Sequence, residues 1–285
     1  MTLAVQDLDA YFVKIGYSGP REPTLETLSQ IQTRHTLSIP FENASVFTGH
    51  GYSITPDVLK RDIIYGAAPG TCVRQNSLVM SALKTIGFIV EPVLARVQWN
   101  IPPGVVTGLL HCALKITLPE GNYLVDVAFG STTAVVPIKM VDGLVQKTPH
   151  DLRRIVYFAD GSFEHQIAFT SNPDNFKPLY KVNPLRVEQS DLEVTAYYAA
   201  TSPSLFFANN LVASRVTEKS RITLENWVLS TRHLDGSKEK RVLKDKDEIL
   251  HVLDTVFGIP WPKLTPVNCP GLENPPDLEK SFIFG

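Results

Sequence analysis

The chain has 285 residues with 44% hydrophobic and 20% charged content, enough to bury a substantial core without a metal or disulfide staple. A net charge of −2 supplies no basic field for nucleic acid or an anionic membrane, so those partners are excluded on electrostatic grounds. Three widely spaced cysteines (Cys72, Cys112, Cys269) argue against a disulfide framework and point to a reducing, cytoplasmic setting. No CxxC pair or HExxH element suggests zinc, no apolar run reaches the length of a membrane span, and the first residues lack a signal pattern.

In chain order, the first ~90 residues read as helical. Leu8, Tyr11, Phe12 and Ile15 recur at helical spacing and Gly16 is a stop. Thr24 caps a helix carrying Leu25, Leu28 and Ile31, and Ile39-Pro40-Phe41-Glu42-Asn43 turns into a new element. Cys72 opens a third helix, with Leu78, Val79, Ala82, Leu83 and Ile86 on its apolar face and Gly87 at its end. From residue 88 the period changes to two. Phe88 to Val97, Leu110 to Leu118, Tyr123 to Phe129, Ile155 to Phe158 and Gln166 to Thr170 read as strands. Helix returns at Ser190 to Ala199, near Leu205 to Ala213 and near Glu248 to Phe257, with strands over Arg221 to Thr231. Lys238 to Lys246 reads as a solvated loop or turn, and the proline-rich tail from Pro260 as extended chain over the surface. The order is α+β with segregated layers, and the absence of βαβ alternation and of Gly-rich phosphate loops argues against a nucleotide fold.

Cys72 stands at a helix N-terminus, where the dipole and unpaired N–H groups favour a thiolate. His111 and Asp126 follow on strands, giving nucleophile, base and orienting carboxylate in that order. Strand alternation puts His111 on the face of Ala113, with Cys112, Leu114 and Ile116 opposite. If Pro119-Glu120 is a two-residue turn, Asp126 lies one pleat from His111 on the same face, within reach; a turn at Glu120-Gly121 moves them a pleat further apart. Both registers remain open at this level. A carboxylate flanked by Leu124, Val125, Val127, Ala128 and Phe129 must find a partner, because burying it alone is costly.

These segments resemble the arylamine N-acetyltransferases over most of the chain. Tyr11 to Tyr17 is similar to the family's opening helix, His35 with Ile39-Pro40-Phe41-Glu42-Asn43 to its IPFEN element, and Thr107 to His111 and Tyr123 to Gly130 to the strands bearing its histidine and aspartate. Ser202 to Phe206 and Val256 to Ile259 resemble later elements; past residue 260 the match is weaker. The resemblance implies an N-terminal helical bundle (1–90), a central antiparallel β-barrel (91–200) and a C-terminal α/β lid (201–285) around a papain-like Cys-His-Asp core. It further implies two-step acyl transfer from acetyl-CoA, or another acyl-CoA, through Cys72 to an arylamine or hydrazine, with no permanently bound cofactor. Thr107 and Gly108 would approach CoA, and Phe129 would line the acceptor pocket. The family's R-G-G-x-C-x-E stretch is altered to Ala68-Pro69-Gly70-Thr71-Cys72-Val73-Arg74, which fits loss of an internal ion pair. Arg74 could favour the thiolate or fold away to a carboxylate, and it keeps open a malonyl-type donor with a free carboxylate. A thiol hydrolase and a catalytically impaired binding protein are the other readings.

Overall fold

The structure is a computed structural model and describes residues 2–48, 51–102, 104–260 and 269–273. Helix α1 (Val5–Ile15) buries Leu8, Tyr11, Phe12 and Ile15, and Gly16 ends it in the left-handed region at φ 66°. Helix α2 (Leu25–Ser38) is capped by Thr24, whose hydroxyl accepts from the Thr27 N–H at 3.2 Å. A two-residue strand β1 (Phe41–Glu42) follows, then the single turn α3 (Pro56–Leu59), which runs into a π-helical turn at Lys60–Ile64. Helix α4 (Cys72–Ile86) is buried from Cys72 to Leu83 and ends at Gly87, again left-handed.

The chain then forms β2 (Ile89–Val97), β3 (Leu109–Leu118), β4 (Gly121–Val125), β5 (Ile138–Lys139), β6 (Gln146–Lys147), β7 (Leu152–Tyr157), β8 (Phe163–Ala168) and β9 (Lys177–Val182). They make one antiparallel sheet in the order β5-β4-β3-β2-β9-β8-β7-β6. Its two edges meet where the Gln146 side chain both accepts from the Lys139 N–H (2.8 Å) and donates to the Lys139 carbonyl (3.0 Å), so the barrel is nearly closed. Ala95, Ala113, Leu124, Ile155, Leu179 and Tyr180 fill its interior, while Cys112, Leu114 and Ile116, on the opposite face of β3, join the core of the helices. That first core runs across residue 90 without a break, from Leu83 to Leu94.

Helices α5 (Gln189–Thr201) and α6 (Phe206–Asn209) lead to strands β10 (Val212–Val216), β11 (Ser220–Glu225), β12 (Val228–His233) and β13 (Lys238–Val242), and α7 (Lys246–Thr255) follows. The second sheet has the order β1-β10-β11-β12-β13, so the N-terminal region contributes its edge strand. Ile249, Val252 and Leu253 of α7 pack with Leu224 and Phe257 in a separate core. Asn43 fixes the junction. Its Oδ1 accepts from the Val212 N–H (2.7 Å), and its Nδ2 donates to the carbonyls of Phe207 (2.8 Å) and Asn210 (2.7 Å).

Four expectations from sequence are corrected. Strand β4 stops at Val125, because the Asp126 carboxylate accepts the Ala128 N–H at 3.1 Å and turns the chain out of the sheet. The segment Leu205 to Ala213 forms one helical turn and then β10, since Asn43 captures the backbone at Val212. The charged run from Lys238 is not a loop: Lys238–Val242 is the edge strand β13, where exposed charges guard an open edge. Strand β9 was not expected at all. The extended path anticipated for the tail falls largely outside the described residues; within them Pro270–Leu272 makes a short 3-10 turn.

Replacing Asn43 with alanine leaves the Val212 N–H and two carbonyls unpaired and is expected to cost about 2–3 kcal/mol in a chemical-denaturation measurement. A change near zero would show that the junction is held elsewhere.

Candidate active site

Cys72 is the first residue of α4, and the loop delivering it is clamped from two sides. The Gly70 N–H donates to Glu42 Oε1 (2.6 Å), and the Gly70 carbonyl accepts from the Glu42 N–H (3.2 Å) and from Gln75 Nε2 (2.8 Å). Gly70 adopts φ 75°, and a Cβ there would lie 2.7 Å from Arg74 Cδ, so only glycine fits. Gln75 also donates to the Pro40 carbonyl (2.8 Å) and pairs with His35 (3.1 Å), tying the IPFEN turn to the nucleophile helix.

His111 comes from β3. The β2–β3 register shifts between Ala95 and Arg96, pairing Ala95 with His111 and Arg96 with Leu109, so Leu110 is bulged. The Leu110 carbonyl accepts the Cys72 thiol at 3.9 Å. Leu118 faces Gly121 across a two-residue turn at Pro119-Glu120, the first of the two registers considered. In that register Asp126, just past the end of β4, reaches His111: Nε2 to Oδ2 is 2.8 Å. Cys72 is near enough to act on the same ring, by charge and by side-chain hydrogen bonding. All three side chains are nearly enclosed, Cys72 at 9% exposure and the other two at 2%.

The Asp126 carboxylate is saturated with donors. Oδ1 accepts from Asn76 Nδ2 (3.2 Å) and the Ala128 N–H (3.1 Å), Oδ2 from His111, and the Tyr180 hydroxyl is hydrogen-bonded to it as well. Behind Tyr180, its hydroxyl and His165 Nδ1 are 3.0 Å apart, and His165 Nε2 lies 3.5 Å from Arg153 Nη1. Burial and the Arg153 charge push the His165 pKa down to about 3, so it is neutral, receiving from Arg153 and donating to Tyr180. Arg153 and Arg221 share buried Asp151 (2.6 and 2.7 Å) and hold the carbonyls of Thr132 and Thr133 in the turn after Phe129.

Burial alone would lower the His111 pKa, but the charges of Asp126 and Cys72 overcome it and raise the value to about 10. Burial opposes ionisation of Asp126 too, yet His111 and the other donors hold its carboxyl below the ordinary range. The pair is therefore an imidazolium and a carboxylate at neutral pH.

Of the remaining expected residues, Phe129 sits edge-on to His111 at 4.7 Å and to Tyr180 at 5.0 Å. Thr107 and Gly108 immediately precede β3; the Thr107 hydroxyl donates to the Val97 carbonyl (2.8 Å), and its carbonyl accepts from Arg96. Asn76, Tyr180 and His165 escaped the sequence reading. Asn76, one turn beyond Cys72 on the same helix face, carried a usable signal; Tyr180 sits on the unforeseen β9.

Arg74 is fully buried and its Nη2 donates to Asp62 Oδ2 at 2.6 Å. Its charge also offsets the rise that burial imposes on the Glu42 carboxyl. The altered loop has thus rebuilt an internal ion pair with the guanidinium entering from position 74, rather than losing one. Arg74 is committed to that pair, which removes the observation that motivated a carboxylate-bearing malonyl donor. Among the described residues no group of three or more His, Cys, Asp or Glu side chains gathers to hold a metal, and no helix is long and apolar enough to cross a membrane.

The sequence profile described as N-acetyltransferase matches residues 24–264. An arylamine N-acetyltransferase of Mycobacterium tuberculosis is 33% identical over 257 residues, 89% of each chain, and one from Escherichia coli is 27% identical over 88% of each. A solved arylamine N-acetyltransferase structure from M. tuberculosis superposes with a TM-score of 0.83 at 32% identity, covering 88% of this chain and 93% of that one. The Mycobacterium marinum enzyme in complex with CoA gives 0.82 at 30% identity, over 89% and 93%. A cysteine-led helix against a nearly closed barrel thus defines a thiol acyltransferase scaffold. The chain belongs to the N-acetyltransferase family typified by these arylamine N-acetyltransferases.

Two outcomes are expected. Because the His111 pKa is higher in the folded state than its ordinary 6.5, its stabilisation is fully present below pH 6.5 and is lost as pH rises through about 10; that of Asp126, whose value is depressed, is lost on the acid side. Asp126→Asn should therefore start the alkaline loss at lower pH and cut turnover about a thousandfold or more; an unchanged alkaline limb would contradict the pairing. Arg74→Met leaves Asp62 with Arg61 as its remaining guanidinium partner and takes a favourable charge from beside Glu42, and is expected to cost about 1–2 kcal/mol by thermal unfolding, whereas a neutral result would mean the ion pair is dispensable.

Proposed function

We propose that this protein is an arylamine N-acetyltransferase, carrying acetyl groups from acetyl-CoA through a thioester on Cys72 to an arylamine or hydrazine. The observation that carries this reading is the His111 ring shared between the Cys72 sulfur and Asp126 Oδ2, at the N-terminus of α4. The names of its relatives, and the CoA held by the M. marinum enzyme, favour this donor and this acceptor class.

In the first half-reaction the Cys72 thiolate attacks the thioester carbonyl. Collapse of the tetrahedral intermediate breaks the carbon–sulfur bond to CoA, and the His111 imidazolium gives its proton to the departing thiolate. CoA leaves, and acetyl-Cys72 faces a neutral His111. The amine then attacks, His111 takes its proton, and Cys72 is expelled as thiolate beside a restored imidazolium. Asp126 keeps the ring oriented and its charged form favoured throughout. Thr107 and Gly108, at the entry to β3, approach the CoA moiety, and Phe129, against the His111 edge, walls the acceptor site. The helices up to residue 90 supply the nucleophile, residues 91–200 the base and carboxylate, and residues 201–285 the lid. The unpaired cysteines fit a cytoplasmic setting.

Mass spectrometry after mixing with acetyl-CoA alone should find one acetyl group on Cys72 and one equivalent of released thiol, with no adduct on the Cys72→Ala variant. Added arylamine should discharge the adduct faster than water does. An adduct that breaks down at the same rate with or without amine would identify a hydrolase instead, and no adduct at all would mark an impaired homologue.

A further inference from the structure

Two strands of the barrel are bulged beside a side chain that acts on the triad. The bulge at Leu110 precedes His111. The other is on β9. His165 of β8 lies directly opposite Tyr180, but Gln166 pairs with Pro178, so Leu179 is the extra residue. Its carbonyl accepts two N–H groups, from Gln98 (2.8 Å) and Trp99 (3.0 Å). Bulges re-aim the residues beside them, and here His165 and Tyr180 meet inside the barrel with their rings edge-on at 5.2 Å. Arg153 of β7 faces Ile167, one pleat along from His165 on the same face, a diagonal that a long side chain spans. All three side chains are sealed in, at 1% exposure or less.

The hydrogen-bond directions along this row follow from the donor chemistry. Arg153 engages Asp151 with Nε and Nη2 (2.6 and 2.8 Å) and the Thr132 carbonyl with Nη2 (2.7 Å), which leaves Nη1 toward His165 Nε2 at 3.5 Å. A guanidinium only donates, so Nε2 is the acceptor and the His165 proton sits on Nδ1. That N–H donates to the Tyr180 oxygen at 3.0 Å, and the Tyr180 proton is left for Asp126. The opposite tautomer would accept from Tyr180 and draw its hydroxyl away from the carboxylate. The row therefore ends on the group that keeps His111 charged.

We propose that His165 is a positioning residue for acyl transfer: Arg153 holds its proton on Nδ1, and that N–H fixes the Tyr180 hydroxyl in the orientation that donates to Asp126. The charges facing the row come from several elements. His165 meets Arg153, Asp126, Asp151 and His111; Tyr180 meets Asp126, Arg153 and Cys112; His111 meets Asp126 and Cys72. Burial and Arg153 hold His165 uncharged and burial pushes the Cys112 thiol up, so neither group competes with His111 for the Asp126 charge. A phenol whose oxygen already accepts a hydrogen bond is a stronger donor. Removing the His165 N–H thus weakens the hold on Asp126 and lets the His111 pKa fall. The kinetic consequence rests on the acetyl-CoA reading above; the proton positions do not.

Nitrogen-resolved NMR of the histidine-labelled protein, without substrate, reads both rings. Wild-type His165 should carry its proton on Nδ1 and stay neutral down to pH 5. A proton on Nε2, or titration near 6.5, overturns the proposal. In Tyr180→Phe the His111 titration should move down by about one pH unit, and in His165→Leu by about half a unit to one. His165→Asn, whose amide nitrogen stands where Nδ1 stood, should recover most of that shift. Because His165 acts through Tyr180, adding His165→Leu to Tyr180→Phe should change nothing further; additive shifts, or no shift in His165→Leu, refute the relay. With acetyl-CoA and aniline, His165→Leu should lower kcat about threefold to tenfold with KM little changed, and the alkaline limb of kcat/KM should move with the NMR titration. A lower kcat with an unmoved limb marks a purely structural residue and overturns the proposal. Should His165→Leu fail to fold, the wild-type tautomer still tests the relay, supporting it on Nδ1 and refuting it on Nε2. Should the wild type transfer no acetyl group, the acyl-transfer reading fails on its own, and the NMR titrations still uphold or refute the relay.

Discussion

A carboxylate sealed inside protein must be met by donors on every side or it will not ionise, and Asp126 is met by four. His111, Asn76, the Ala128 N–H and Tyr180 come from β3, α4, the turn after β4 and β9. Each of those elements is anchored by a different part of the fold. Asn76 is on the helix that carries the nucleophile, so the distance between sulfur and carboxylate is set within one helix turn. Tyr180 reaches the carboxylate from inside the barrel, so barrel closure and the ionisation of Asp126 are one constraint. A charged Asp126 in turn keeps His111 protonated despite burial that opposes it.

The same logic explains how the three regions of the chain are sewn together. The IPFEN turn joins the first region to the third: Glu42 clamps Gly70 before the nucleophile, Pro40 receives Gln75, and Asn43 captures the start of β10. On the far side, Asp151 holds two arginines, one from the barrel and one from the second sheet, and both grip the turn that follows Phe129. The substituted loop at Ala68–Arg74 is tolerated because the buried charge balance is met from a new direction, through Asp62 on the π-helical turn.

Local rules made much of this legible. Thr24, Gly16 and Gly87 mark helix ends through capping and left-handed backbone, which sequence reports directly. Cys72 announces itself as a thiol at a helix start, and the Pro119-Glu120 turn sets the β3–β4 register that brings His111 to Asp126. What stayed hidden depends on partners distant in sequence. Lys177-Pro178-Leu179-Tyr180-Lys181-Val182 lacks clean alternation and carries a proline near its start, and becomes β9 because β2 and β8 pair with it on both sides. Tyr180 was lost with it. Asp151, Arg153 and Arg221 look like surface charges in a linear reading and are among the most buried groups in the molecule. Lys238–Val242 looks like solvent-loving loop because edge strands are guarded by the same residues that loops prefer.

The account depends most on the proton held by His111. Nitrogen-resolved NMR of its imidazole across pH reads that proton without any substrate. The structure requires an imidazolium through neutral pH, titrating only near 10. A ring that loses its proton near the ordinary 6.5 would mean that Asp126 and Cys72 do not act on it together, and the constellation would lose its chemical meaning.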